Sequence, residues 1–331
     1  MTKVTSRKVS GDEAGMRLDR WFTQHYPGLG HGRLQKLLRT GQVRVDGGRV
    51  KSGTRLDEGQ TVRVPPLKMD ASVPAGSGIE KAVPRISKAD AKDIQACVLH
   101  RDEDIIILNK PPGLAVQGGS RLSKHLDGLL DALRFEKAER PRLVHRLDKD
   151  TSGILLLARN APAARALTSA FRGKEVRKVY WAVVAGVPSP EQGTVALSLA
   201  KQDGPHGEKV VAGTPDGKNA ETLYRTVDQA SGKAAWLVLE PLTGRTHQLR
   251  VHVQALGTPI VGDGKYGRRE AFPDNIDIAG KLHLHARALR FQHPAGHMMD
   301  AEAPLPDHMK KTFKVFGFDE AEETEPFLEA K

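Results

Sequence analysis

Residues 65–95 hold no hydrophobic period that a helix or a strand could use. Pro65-Pro66, Pro74, Gly76-Ser77-Gly78 and Pro84 interrupt the stretch, and its apolar content is low. Such a segment cannot offer a face to a core, so the chain is expected to fold as two bodies on a flexible linker. The expected division is an N-terminal tail over 1–11, a small domain over 12–64, the linker over 65–95, a large domain over 96–317 and an acidic tail over 318–331. A chain of 331 residues suits two domains. Its longest apolar runs, Ile105–Leu108 and Ile154–Ala158, are strand-sized. No run reaches the roughly 18 residues of a spanning helix, and no membrane partner is expected.

The net charge is +11 and its distribution is uneven. Residues 1–70 carry fourteen Lys/Arg against seven Asp/Glu, whereas the last 21 residues carry three Lys against six acids. A basic N-terminal body points to a polyanion as partner, nucleic acid first. Cys97 is the sole cysteine, which excludes an internal disulfide and fits a reducing compartment. The polar N-terminus lacks the apolar core of a secretory signal, so a cytoplasmic location is expected. His247 and His252 share one segment and His283 and His285 another, but there is no HExxH and no cysteine partner, so no metal is expected. Nor is there a GxGxxG or GxxxxGK[ST] phosphate loop, so no nucleotide cofactor is expected.

Within the small domain, Arg17–Phe22 starts a short helix with Leu18, Trp21 and Phe22 on one side, ended by Pro27-Gly28. A second helix is expected over Arg33–Arg39, where Arg33, Lys36 and Arg39 recur every three residues opposite Leu34, Leu37 and Leu38. Val43–Val50 alternates around Asp46-Gly47-Gly48 and reads as a hairpin that carries Arg44, and Thr61–Val64 reads as a strand. In the large domain, strands are expected at Ile105–Leu108, Gly153–Ala158, Val179–Val184, Ala235–Leu239 and Leu282–Phe291. Helices are expected over Leu122–Phe135, Ala161–Arg172 and Thr246–Leu256. These elements do not follow the regular alternation of a doubly wound fold.

Three segments carry chemistry. His145-Arg146-Leu147-Asp148-Lys149-Asp150-Thr151-Ser152-Gly153 delivers two carboxylates and two cations to the start of a strand. An ionised Asp148 there could act as nucleophile or base, or Asp148 or Asp150 could simply cap a turn through its own backbone. Thr243–His252 is a glycine turn followed by a helix. Its His247, Arg250 and Gln254 share one face, from which Arg250 could pair with a carboxylate in bidentate fashion or merely be solvated. Arg177–Val184 is a strand with Lys178 and Tyr180 on one face, and an accessible tyrosine is a stacking platform for a base.

Taken together, HRLDKDTSG, KVYWAVVAG and TGRTHQLRVHVQALG, preceded by IIILNKPPGLAV and followed by LHLHARAL, resemble the motifs of the RluA-type pseudouridine synthases. Residues 12–64, with RLDRW and RLQKLLRTGQVRVDG, separately resemble the S4 RNA-binding domain. The resemblance implies an α+β fold: a mixed, largely antiparallel sheet flanked by helices, preceded by a small α+β domain. It implies a cofactor-free isomerase that converts uridine to pseudouridine in RNA, 23S ribosomal RNA being the expected substrate; a monomer is the default expectation.

By motif position, Asp148 is then the catalytic aspartate, Tyr180 stacks on the target base, and Arg250 pairs with Asp148. Arg146 enters the RNA stack where the uridine flips out, and Lys110 and Arg245 serve the loop and the phosphates. Arg33, Lys36, Arg39 and Arg44 are the expected RNA contacts of the first domain. Gly30-His31-Gly32 stands where many S4 domains have a serine before the second helix, which removes an N-cap hydroxyl. Two other classes are open to the same residues. One is a non-catalytic RNA-binding or ribosome-assembly protein. The other is a hydrolase using Asp148 with Asp150, which would release free uracil.

Overall fold

The computed structural model describes residues 4–26, 28–67, 86–118, 124–202, 209–273, 276–323 and 327–328. Two compact units emerge, Met1–Ala82 and Val83–Lys331. Pro27, residues 122–123 of the expected Leu122–Phe135 helix, and 68–85 of the expected linker lie outside the described residues.

The first unit comprises β1 (Thr5–Lys8), α1 (Leu18–His25), α2 (His31–Arg39), β2 (Arg44–Val45) and β3 (Thr61–Val64), with an antiparallel sheet in the order β1-β3-β2. Val62 and Val64 alternate inward and bury against Leu18, Trp21, Phe22, Leu34 and Leu38. The stretch expected as a tail is therefore part of the fold. Thr5–Lys8 pairs with β3, and Val9 joins the core. An edge strand exposed along its whole length has no apolar alternation to betray it. The hairpin turn forms at Asp46 and Gly47, both at positive φ, but its second arm is a single bridge from Val45 to Gly48. Helix α2 begins two residues earlier than expected, with Gly30 at the N-cap and no side-chain cap bond.

The second unit adds α3 (Lys88–Ala96), β4 (Val98–Arg101), β5 (Ile105–Lys110), α4 (Leu126–Leu129), β6 (Arg142–Leu143), β7 (Ser152–Ala158) and α5 (Ala161–Gly173). It continues with β8 (Arg177–Ala185), β9 (Gln192–Gln202), β10 (Lys209–Ala212), β11 (Lys218–Ala230), β12 (Ala234–Pro241) and α6 (Gln248–Ala255). Strands β13 (Leu284–Gln292) and β14 (Met298–Glu302) and helix α7 (Asp307–Phe316) complete it. Among the described residues eleven strands form one sheet, β10-β9-β11-β12-β8-β13-β7-β5-β4, with β14 on β13 and β6 on β7. Every pairing is antiparallel except β13 with β7.

Strands β5 and β7 are covered on both sides, which is why they read as unbroken apolar runs. Ile106, Leu108, Leu155 and Leu157 pack with α3 and α4, and Ile105, Ile107, Ile154 and Leu156 pack with α5. Trp181 and Trp236 face Met309 and Phe313 of α7, whereas Ala182, Leu237 and Leu239 meet Leu249 and Val253 of α6. The end of the expected linker is helical. Ser87 caps α3 by accepting from the Asp90 amide, and Ile94 is buried. The acidic tail is not simply solvated either, because Phe318 is buried and Phe327 and Leu328 pack on the same cluster. No helix among the described residues is long and apolar enough to cross a membrane.

In the first unit one buried carboxylate ties the N-terminal turn to α1. Glu13 accepts from Trp21 Nε1 at 3.0 Å and from the Ser10 amide at 3.1 Å, and it contacts His25. Burial works to raise its pKa, but these hydrogen bonds outweigh burial and hold it at about 2, against an ordinary 4.5. A carboxylate depressed on folding contributes stability above the ordinary value, and that contribution is lost as pH falls from 4.5 toward 2. Hydrogen exchange of the intact protein will therefore show the first unit opening over this window. Glu13→Gln should open more easily at pH 7 and lose the acid dependence there; an unchanged acid profile would refute this account.

Candidate active site

The cleft that brings the motif residues together lies in the second unit and has a volume of about 310 Å³. The loop before β7, the cleft face of β8, and the turn that leads into α6 with that helix's first residues supply most of its lining, and Phe171, Lys174, Pro241 and Leu284 complete it. Small-molecule sites start at about this size.

The loop before β7 is held by groups on both sides of Asp148. On one side, His145 Nε2 accepts the Leu156 amide at 2.8 Å, and its ring stacks on Phe171 at a centroid distance of 4.3 Å. Burial lowers the pKa of His145 to about 3, so the imidazole stays neutral and Nε2 stays an acceptor. On the other side, β7 meets β13 at Ser152–His285 and Gly153–Ala286. His285 Nε2 faces the Ala303 carbonyl at 3.1 Å and must donate to it, so its Nδ1 accepts from the Ser152 hydroxyl at 2.9 Å. Gly153 has φ +105°, and a Cβ there would stand 2.2 Å from the Ala286 carbonyl oxygen. Only glycine allows the two backbones so close.

Lys110 fixes the same loop from beneath. Its side chain is fully buried, and its ammonium donates to the carbonyls of Pro111, Leu114 and Lys149 at 2.8, 3.0 and 3.0 Å. The Gly113 amide also donates to Lys149, so the Pro111–Leu114 turn and the Asp148 loop are joined twice. Burial pulls the Lys110 pKa down to about 8, with Asp150 and Asp148 acting the other way. The expectation that Lys110 serves phosphates is corrected here: all three of its donors are used inside the fold, and it serves the loop alone.

Asp148 itself is about one-fifth exposed and faces the cleft. The expected Arg250–Asp148 pair is absent. Arg250 instead makes a two-pronged pair with Asp263, Nε to Oδ2 at 2.8 Å and Nη2 to Oδ1 at 2.7 Å. Asp263 is free to take that role because its Oδ1 also accepts the Lys265 and Tyr266 amides and so caps their turn. Burial opposes the Arg250 charge, but Asp263 and, behind it, Asp148 hold the guanidinium more firmly charged than usual. Arg250 therefore acts on Asp148 through its field, and His247 stands close to Asp148, with Nε2 3.8 Å from Oδ2.

Tyr180 lines the cleft from β8 beside Lys178, on the face the alternation predicts. Burial, then the charge of Asp148, pushes the Tyr180 pKa up, so its phenol stays protonated near neutral pH. Arg146 and Arg245 stand exposed at the cleft, and Arg245 Nε donates to the Asn219 carbonyl. Arg33, Lys36, Arg39 and Arg44 belong to the first unit and are all exposed. Arg44 is tied to its own turn through the Gly41 and Gly47 carbonyls.

Two site residues, Gln248 and Asp263, escaped the sequence reading. Gln248 is buried and fully bonded: its carbonyl accepts from Thr243 and the Arg245 amide, and its amide donates to the Glu221 carbonyl and Thr222. It thereby closes the Thr243–Arg245 turn onto β11. Lys178, which the sequence places on the same face as Tyr180, lines the cleft beside it. Asp263 could not have been found, because no periodicity links a glycine-rich turn to a helix thirteen residues earlier.

Comparison with known proteins places the chain in a family. Residues 104–255 match the family model described as RNA pseudouridylate synthase. Ribosomal large subunit pseudouridine synthase C of Salmonella typhi is 39% identical over 312 residues, covering 93% of this chain and 95% of that protein. The protein of the same name from Escherichia coli strain K12 is 39% identical over 308 residues, covering 92% and 93%. Among solved structures, human RNA pseudouridylate synthase domain containing 4 superposes with a TM-score of 0.57 at 29% identity. It covers 69% of this chain and 95% of that one. Relatives this similar along nearly their whole length, together with the matching family model, show that the chain belongs to the RluA-type family of pseudouridine synthases, isomerases that act on RNA.

Proposed function

We propose that this enzyme isomerises uridines of large-subunit ribosomal RNA, and that Asp148 is the residue that reacts. The observation that carries the reading is a partly exposed carboxylate at the cleft, on a loop tied down from three sides, with a neutral tyrosine and a charged arginine lining the same space. In the reaction the N1–C1′ bond breaks, the freed base turns, C5 bonds to C1′, and the C5 proton leaves to solvent while N1 takes one up. Asp148 either attacks C1′ or removes the C2′ proton, and both routes need it ionised and held still. Tyr180 stacks on the target base and, as a neutral phenol, is a hydrogen-bond donor rather than a base. Arg146 fills the gap left by the flipped uridine, and Arg245 meets a phosphate.

The first unit is read as an S4-type RNA-binding domain. Arg33, Lys36 and Arg39 on the outer face of α2 make no ion pair among the described residues and supply phosphate affinity, with Arg44 beside them. The working form in this proposal is a cytoplasmic monomer without cofactor, acting on the RNA or its precursor particles.

Release of tritium from 5-³H-uridine-labelled, unmodified large-subunit RNA tests the central role. Wild type should release label and Asp148→Asn should not, while both bind the RNA; release by Asp148→Asn would rule the assignment out. Lys110→Met should slow release by about 100-fold through loosening of the loop. Its RNA affinity should keep the wild-type salt dependence, whereas a lost phosphate contact would reduce the slope by roughly 0.7–0.9. Replacing Arg33, Lys36 and Arg39 together by Gln should reduce that slope by about two to three and leave the rate at saturating RNA unchanged.

A further inference from the structure

His247 occupies a position that none of the assigned roles explains. It sits at the N-cap of α6 with φ +53°, in the left-handed region. Histidine tolerates that region better than most residues, yet it is still strained there, and strain of this kind persists where the surroundings impose it. The surroundings are specific. His247 Nδ1 lies 2.7 Å from the Tyr266 hydroxyl, and the two rings meet edge to face at 5.5 Å. Tyr266 Oη accepts the Val210 amide at 3.2 Å. The other ring nitrogen faces Asp148. The charged and titratable groups acting on this imidazole are Asp148, Arg250, Lys265, Asp263 and Tyr266.

These contacts select one pattern of donors. The Val210 amide can only donate, so the Tyr266 oxygen accepts, and its own hydrogen is free to go to His247 Nδ1. With Nδ1 accepting, a neutral imidazole carries its proton on Nε2, where it points at the Asp148 carboxylate. The opposite tautomer would aim a lone pair at a negative charge. Burial lowers the His247 pKa and keeps Tyr266 protonated, which favours the same state. At 3.8 Å the Nε2–Oδ2 gap exceeds a hydrogen bond. Such bonds are commonly long in a free enzyme and tighten when substrate excludes water.

We infer that His247, oriented by Tyr266, is a positioning residue that holds the Asp148 carboxylate toward the sugar of the bound uridine through Nε2–H. The inference rests on the reading of Asp148 as the reacting group. Three substitutions at His247 separate this role from proton transfer and from structural support. Glutamine can place an N–H where Nε2 was, asparagine only where Nδ1 was, and glycine relaxes the left-handed backbone while removing the ring.

Single-turnover tritium release from labelled large-subunit RNA, RNA affinity and melting temperature are to be measured for each, beside Tyr266→Phe and Asp148→Asn. We expect His247→Asn and His247→Gly to lose about 100-fold in rate with RNA affinity within about twofold, and His247→Gly to melt no lower than wild type. His247→Gln should recover most of the rate, and Tyr266→Phe should fall between. His247→Gln as slow as His247→Asn would overturn the proposal in favour of proton transfer. Asparagine and glycine variants as fast as wild type, with Asp148→Asn inactive, would overturn it while leaving Asp148 in place. Activity in Asp148→Asn would overturn both readings.

Discussion

The two halves of the central sheet meet where β13 runs parallel to β7, and the meeting involves only His285–Ser152 and Ala286–Gly153. Every other pairing described in the sheet is antiparallel. At Gly153 the backbones approach so closely that a methyl group would overlap the Ala286 carbonyl, and the Ser152–His285 hydrogen bond locks the register beside it. The loop bearing Asp148 ends at this seam. Its position relative to β8, which pairs with the other edge of β13, is therefore set by backbone geometry rather than by flexible side chains.

Around that seam the protein uses buried polar groups that are fully satisfied instead of charge pairs aimed at Asp148. Lys110 gives all three donors to carbonyls, Gln248 uses all of its amide, and Arg250 is spent on Asp263. Each would be costly to bury alone, and each is stable because its partners are backbone groups or a carboxylate in fixed geometry. The result leaves Asp148 without a direct salt bridge. Its surroundings are a cation that acts over distance and a neutral histidine, which leaves the carboxylate free to meet a substrate rather than committed to a partner.

Much of the fold was legible because its central strands are covered on both faces. Ile105–Leu108 and Ile154–Ala158 announce themselves as apolar runs, and α5 and α6 carry a helical period with turn residues before them. The more exposed strands were not legible. Strand β9 exposes most of its length, and β1 exposes all of it, so neither has an alternation to detect. Helix α7 was missed for a related reason: it turns Met309 and Phe313 inward together with His308 and Thr312, and polar residues in a buried stripe mask the period.

The same division holds for the site. From the order and spacing of residues alone came the HRLD loop, the Lys178–Tyr180 face and the helix that carries Arg250, because each depends on contacts within a few residues. Tertiary structure decided who pairs with whom. Asp263 displaced Asp148 as the partner of Arg250, Lys110 turned inward to three carbonyls, and His247 came to face Asp148 across about a hundred residues of sequence. Those choices follow from the β7–β13 seam and from the competition of several buried groups for few partners, and neither leaves a periodic trace in the chain.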